Sequence, residues 1–191
     1  MIVSQPAALP LSTSDPGLAP WRAFLEAHAR ISRRLDEELR AEHDLSLAEY
    51  DALLTVAQSP ERRIRMRVLA DQVLLSKSGV TRLIDRLVAD GLVKRGTCLA
   101  DARGAEAILT PAGLDRLRAA SGTHLRGVQA HFLAVVDPAD LASVERSMLA
   151  ISAHSCSGQD GDPCDMATPA VSDRTDRPFG ATGTVDEPAD R

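Results

Sequence analysis

Two short stretches of helical periodicity, one from about Met66 to Leu74 and one following Ser76 as far as Gly91, are separated by only a short break. Val68, Leu69 and Val73 supply the apolar positions of the first, Ser76 can cap the second, and Gly91 permits the left-handed turn that ends it. Two short helices with so tight a connection form a helix-turn-helix pattern. Stepping about 100° per residue along the second helix places Val80, Leu83, Ile84 and Leu87 in one apolar sector, with Ser78, Thr81, Arg82, Asp85 and Arg86 opposite.

The flanking sequence is also mostly helical. Pro20 sits in the first turn of a helix over about 20–42, whose stripe carries Trp21, Phe24, Leu25, His28, Ile31, Leu35 and Leu39. Ser46-Leu47-Ala48-Glu49 has the spacing of a capping box and opens a second helix that stops before Pro60. Beyond Gly91, Val93-Lys94-Arg95 and Ala105–Leu109 are extended candidates around the polar loop Ala100–Gly104 and read as a β-hairpin. Thr110-Pro111 then opens a long helix through Leu114, Leu117, Leu125, Val128 and Phe132, and Asp137-Pro138 opens a last one with Leu141, Val144, Met148 and Ile151. The expected fold class is mainly α with a small β-hairpin wing: a winged helix-turn-helix with long helices from both ends of the domain.

Charge is distributed unevenly over the 191 residues. The net value is −5, yet residues 61–118 hold 12 basic and 7 acidic side chains, whereas 1–60 hold 5 and 9 and 155–191 hold 3 and 8. The central excess is a local positive field that a polyanion could read. Residues 1–18, rich in Pro, Ser and Ala, and 155–191, rich in Pro and Gly among acidic residues, lack periodicity and read as disordered ends, and the acidic tail would compete with such a polyanion for the basic middle. No stretch is long and apolar enough for a membrane span, and the Pro-broken start lacks the basic n-region of a leader, so a cytoplasmic protein is expected. Cys98, Cys156 and Cys164 are odd in number and widely spaced, which argues against a disulfide scaffold and against a zinc site. The chain carries no H-E-x-x-H, G-x-S-x-G, P-loop or G-x-G-x-x-G motif, so neither an enzyme nor a bound cofactor is expected.

The polar face of the second short helix has the composition a major-groove helix needs. Arginine can contact guanine or phosphate, Ser and Thr can contact either, and Lys77 with the helix N-terminus favours a nearby phosphate. Asp85 is the misfit, a carboxylate that must accept from a cytosine amino group or orient an arginine, with Arg82 and Arg86 within one turn of it. The segments Leu75–Leu87, Asp90-Gly91-Leu92-Val93, Asp101-Ala102-Arg103-Gly104 and Leu109-Thr110-Pro111-Ala112-Gly113, in this order and spacing, closely resemble the MarR family of winged helix-turn-helix transcriptional regulators over about residues 20–152.

The resemblance implies a homodimer formed by the terminal helices (19–45 and 111–152) of a domain spanning 19–154, with 46–110 as its DNA-binding lobe. It implies recognition helices in successive major grooves of a pseudopalindromic double-stranded operator, and Arg103 of the wing in the minor groove, where the family often has two adjacent arginines and this chain has Ala102 and Arg103. The expected DNA contacts are Ser76, Lys77, Ser78, Thr81, Arg82, Arg86 and Arg103. Family members release DNA when a small aromatic compound enters a cleft beside the dimerisation helices or when a cysteine is oxidised. Trp21, Tyr50, His28, His124 and His131 are the residues that could line such a cleft, although Trp21 and His28 share the apolar stripe of the first helix and read as packing or dimer contacts. Cys98 lies among Lys94, Arg95 and Arg103, a setting that favours a thiolate and leaves a redox-sensing regulator open. A winged-helix module that binds protein rather than DNA also stays open; the retention of Ser78, Thr81, Arg82 and Arg103 argues against it.

Overall fold

In the computed structural model, which describes residues 15–73, 77–97 and 105–156, the chain opens with a 3₁₀ turn at Pro16–Leu18 and enters α1 (Ala19–His43). There follow α2 (Leu47–Gln58), a 3₁₀ turn at Pro60–Arg62, β1 (Arg63–Arg65), α3 (Met66–Gln72), α4 (Lys77–Ala89), β2 (Val93–Thr97), β3 (Ala105–Leu109), α5 (Pro111–Val128) and α6 (Leu141–Cys156). The expectations for the two ends of the chain and for the wing loop fall mostly outside the described residues. Among the described residues, no helix is long and apolar enough to cross a membrane.

Local chemistry explains the helix boundaries. α1 ends where Asp44 takes a left-handed conformation (φ 48°), and its last carbonyl, that of His43, accepts from Arg116 at 2.8 Å. The capping box is formed as expected: the Glu49 amide donates to Ser46 Oγ at 3.2 Å, while Glu49 Oε2 accepts from the Ser46 amide at 2.9 Å. Asp36 of α1 accepts from the Leu47 amide at 2.9 Å and fixes the elbow between the first two helices. At α5, Thr110 Oγ1 accepts from the Gly113 amide at 3.0 Å, and Pro111 occupies the first turn, where its missing N–H costs nothing.

The wing stem holds more strands than a hairpin. β1 joins β2 and β3 in an antiparallel sheet of order β1-β3-β2, with Arg63, Ile64 and Arg65 opposite Ile108, Ala107 and Glu106. Three residues with one apolar side chain carry no alternation to detect, so β1 is a strand only because β3 offers it a free edge. One face of the sheet sends Ile64, Val93, Ala107 and Leu109 into the core formed with Leu39, Leu53, Val56, Leu69, Leu83, Ile84, Leu87 and Leu117. On the other face Glu106 is buried against Arg63 Nε at 3.1 Å.

The long C-terminal helix differs from a single continuous one. After Val128 the chain widens into a π-helical turn, Gln129–Leu133, closed by the Ala134 amide donating to the Gln129 carbonyl at 2.9 Å. α6 starts three residues later than Pro138, after the amides of Ser143 and Val144 find the Asp140 carbonyl, and none of its described residues is buried. The stripe of α1 divides: Leu35 and Leu39 are buried, whereas Trp21, Phe24 and Leu25 are exposed, as are Leu125, Leu133, Met148, Leu149 and Ile151.

Candidate nucleic-acid interface

α4 forms the expected amphipathic helix. Val80, Leu83, Ile84 and Leu87 are buried, and Ser78, Thr81, Arg82, Asp85 and Arg86 are exposed along the opposite face. The apolar sector seats the helix on α2, α3 and β2, and it is that seating which turns the short polar side chains outward. Arg82 has no hydrogen-bond or ion-pair partner among the described residues, so its guanidinium is available. Lys77 begins the helix, while its side chain, Ser76, Arg103 and Cys98 lie outside what is described.

The remaining two charges of this face are engaged. Asp85 Oδ1 accepts from Arg95 of β2 at 2.6 Å, so the misfit carboxylate orients an arginine of the wing stem and neither Arg82 nor Arg86 of its own helix. Arg86 Nε donates to Glu49 Oε1 at 3.0 Å. Burial works against ionisation of Glu49, but the hydrogen bonds from Ser46 and Arg86 outweigh it and hold the carboxyl below its usual value. The exposed face of α4 thus has Ser78, Thr81 and Arg82 in its N-terminal half and two ion pairs to neighbouring elements in its C-terminal half. Sequence reasoning does not find Glu49 and Arg95 at this face, because nothing local couples residues 37 and 10 positions away.

The wing and the helix are set relative to α5 at one junction. Gly91 takes φ 71° to end α4, the carbonyls of Gly91 and Leu92 both accept from Thr110 Oγ1, at 2.8 and 3.0 Å, and Gly113 lies against the Leu92 carbonyl. Two of the segments that carry the family resemblance therefore meet in space.

The residues expected around a small-molecule cleft divide into three places. Tyr50 and His124 stack with ring centroids 4.4 Å apart, and the Tyr50 hydroxyl donates to Ser121 Oγ at 3.5 Å. Burial pushes the His124 imidazole below its ordinary value, and its Nδ1 is buried without a partner. His131 instead meets Glu38 at 2.7 Å. Trp21, Phe24 and His28 form a ladder of rings one turn apart on the exposed half of α1, with centroids 5.9 and 6.2 Å apart. Among the described residues no three His, Cys, Asp or Glu side chains are grouped to hold a metal ion.

Comparison with known proteins agrees with this geometry. The family model described as MarR family matches residues 43–104, which run from the end of α1 to the residue before β3. The crystal structure of AbsC, a MarR family transcriptional regulator from Streptomyces coelicolor, is 30% identical, with 76% of this chain and 97% of that one covered at a TM-score of 0.69. Sco3205, a MarR family transcriptional regulator from the same organism crystallised in complex with DNA, is 29% identical over 80% of this chain and 96% of that one, at a TM-score of 0.71. A mutant of E. coli MarR complexed with operator DNA shares the fold, at 22% identity, 72% and 99% coverage and a TM-score of 0.63. No curated protein matches the chain by sequence. The motifs, the three-stranded wing stem and the identity with AbsC over nearly all of its length converge: the chain belongs to the MarR family of transcriptional regulators.

Proposed function

We propose that the protein is a cytoplasmic, homodimeric repressor that reads double-stranded DNA with α4 and performs no catalysis. The observation that carries this reading is the outward face of Ser78, Thr81 and Arg82, seated by a fully buried apolar sector and holding an unengaged guanidinium. Ser76, Lys77, Ser78 and Thr81 would supply phosphate and base-edge contacts at the N-terminal end of the helix, Arg82 a guanine or phosphate, and Arg103 the minor groove. The DNA complex of Sco3205 supports the same use of the fold.

The exposed apolar residues of α1, α5 and α6 support a second copy of the chain as partner. Trp21, Phe24, Leu25, Leu149 and Ile151 are large side chains that an isolated chain would leave in water. A dimer would place two α4 helices about one DNA turn, roughly 10 bp, apart and call for a pseudopalindromic operator. A small aromatic effector would release the complex, and the stacked Tyr50 and His124 between α2 and α5 are the residues best suited to sense it.

Fluorescence anisotropy on the DNA upstream of the protein's own gene, against a scrambled duplex and over a range of salt, tests the proposal. Sequence-selective binding with a steep salt slope is the expected result, and Arg82→Ala with Arg103→Ala should abolish it while leaving the dimer intact. Equal, weak binding to both duplexes would overturn it.

A further inference from the structure

Arg86 shares the exposed face of the recognition helix with Arg82, but its surroundings differ. Its Nε donates to Glu49 Oε1 at 3.0 Å, and Glu49 is itself immobilised, its other oxygen accepting from the Ser46 amide at 2.9 Å and the Ser46 hydroxyl at 2.7 Å. Ser46 is buried, so the carboxylate is anchored in the N-terminal cap of α2 and presents one fixed lone pair to α4. On the adjacent residue, Asp85 reaches the other way, to Arg95 of the wing stem at 2.6 Å. The recognition helix is thereby gripped from two sides by consecutive residues, once by α2 and once by β2.

Position along the helix separates the two arginines further. Bases are read from the N-terminal residues of a recognition helix, and Arg86 lies eight residues beyond Ser78, about 12 Å along the axis. Its charge is already compensated by Glu49, so a phosphate approaching it would gain the guanidinium only together with a neighbouring carboxylate. An arginine in that state releases few counterions on binding DNA.

We infer that Arg86 and Glu49 form a positioning pair: they set the angle at which α4 presents Ser78, Thr81 and Arg82, and Arg86 makes no phosphate contact of its own. The inference rests on the DNA-reading function proposed above and specifies how its reading helix is held.

Five proteins, the wild type, Arg86→Gln, Arg86→Lys, Glu49→Gln and the double variant, are titrated by anisotropy on the DNA upstream of the protein's own gene, as the operator, and on a scrambled duplex over salt, with circular dichroism confirming the fold of each. A positioning pair predicts that each single variant loses operator affinity by about threefold to tenfold, that the double variant is no worse than either single, and that scrambled DNA is bound as before. The dependence of log K on log salt keeps its wild-type slope, and Arg86→Lys, which can still reach Glu49, recovers the affinity. A phosphate-contacting Arg86 predicts the reverse: Arg86→Gln lowers the slope by about 0.9 for each phosphate it no longer neutralises and weakens both duplexes alike, while Glu49→Gln leaves binding unchanged or tightens it. That result, or losses that multiply in the double variant, overturns the inference. Should Glu49→Gln fail to fold, the slope of Arg86→Gln decides alone. A wild-type protein that does not distinguish the two duplexes overturns the DNA-reading function itself, a result separate from either pattern among the variants.

Discussion

The α-carbon of Gly113, in the first turn of α5, lies so close to the carbonyl oxygen of Leu92 that no side chain fits between them. The Leu92 carbonyl accepts from both the amide and the hydroxyl of Thr110, at 3.1 and 3.0 Å, so the turn after α4 and the start of α5 are joined by backbone that cannot retreat. Gly113→Ala should destabilise the protein by about 3 kcal/mol, since relief requires moving a hydrogen-bonded peptide rather than a rotamer. Urea unfolding of the two proteins measures the difference; a loss below about 1 kcal/mol would show that the junction yields.

Two further glycines of α5 predict opposite signs. A Cβ on Gly127 would stand 2.5 Å from Leu35 Cδ2 and 2.6 Å from Glu38 Oε2, at the crossing of α1 and α5 where Glu38 also holds His131. A Cβ on Gly122 meets nothing nearer than the flexible end of Arg126 at 3.4 Å. Gly127→Ala should therefore cost about 1–3 kcal/mol, and Gly122→Ala should stabilise by about 0.5–1 kcal/mol through helix propensity. Thermal melts of the pair, run side by side, check both signs.

Asp51 and His124 give stability two opposing dependences on pH. Burial raises the Asp51 carboxyl to about 6, so the folded state holds its proton more tightly than the unfolded one, and stability falls as pH rises from about 4 through 6. Asp51→Asn should then stabilise by about 1–2 kcal/mol at neutral pH, after allowance for partial solvent screening, and by nothing below pH ~4. His124 is shifted the other way by burial, so the folded state disfavours its charged form and stability is lost as pH falls below the ordinary histidine value of 6.5. His124→Phe, which can keep the stack on Tyr50, should flatten the acid side of the profile. Melting temperatures between pH 4 and 8 for the three proteins resolve the two effects.

The exposed apolar residues of α1, α5 and α6 predict association. Ile151→Arg or Phe24→Arg, each placing a charge where a partner's apolar face would close, should shift the protein to monomer in sedimentation without altering its helical content. Trp21 is the single tryptophan of the chain and 54% exposed in one copy, so its emission should move to the red on dilution or in either variant. Monomeric wild-type protein at micromolar concentration would refute the dimer.

Features that depend on neighbours three or four residues apart are legible in the chain as written. The Ser46–Glu49 capping box, the Thr110-Pro111 start of α5 and the Gly91 turn each fit within a single helical turn, where side chain and backbone meet whatever surrounds them, and the division of α4 into apolar and polar faces repeats the same three- and four-residue spacing. Periodicity states which face of a helix is apolar but not what covers it, so the stripe of α1 can be read in advance while its division into a buried half and an exposed half cannot. Pairings between distant segments arise at the level of packing. β1 exists because β3 has a free edge; Arg86 belongs to Glu49, 37 residues away, and His131 to Glu38, 93 residues away, because packing of the apolar sectors brings those elements within hydrogen-bond reach. Charge and polarity mark both arginines of α4 as equal candidates for DNA, and it is the position of the α2 cap that leaves Arg82 available and engages Arg86.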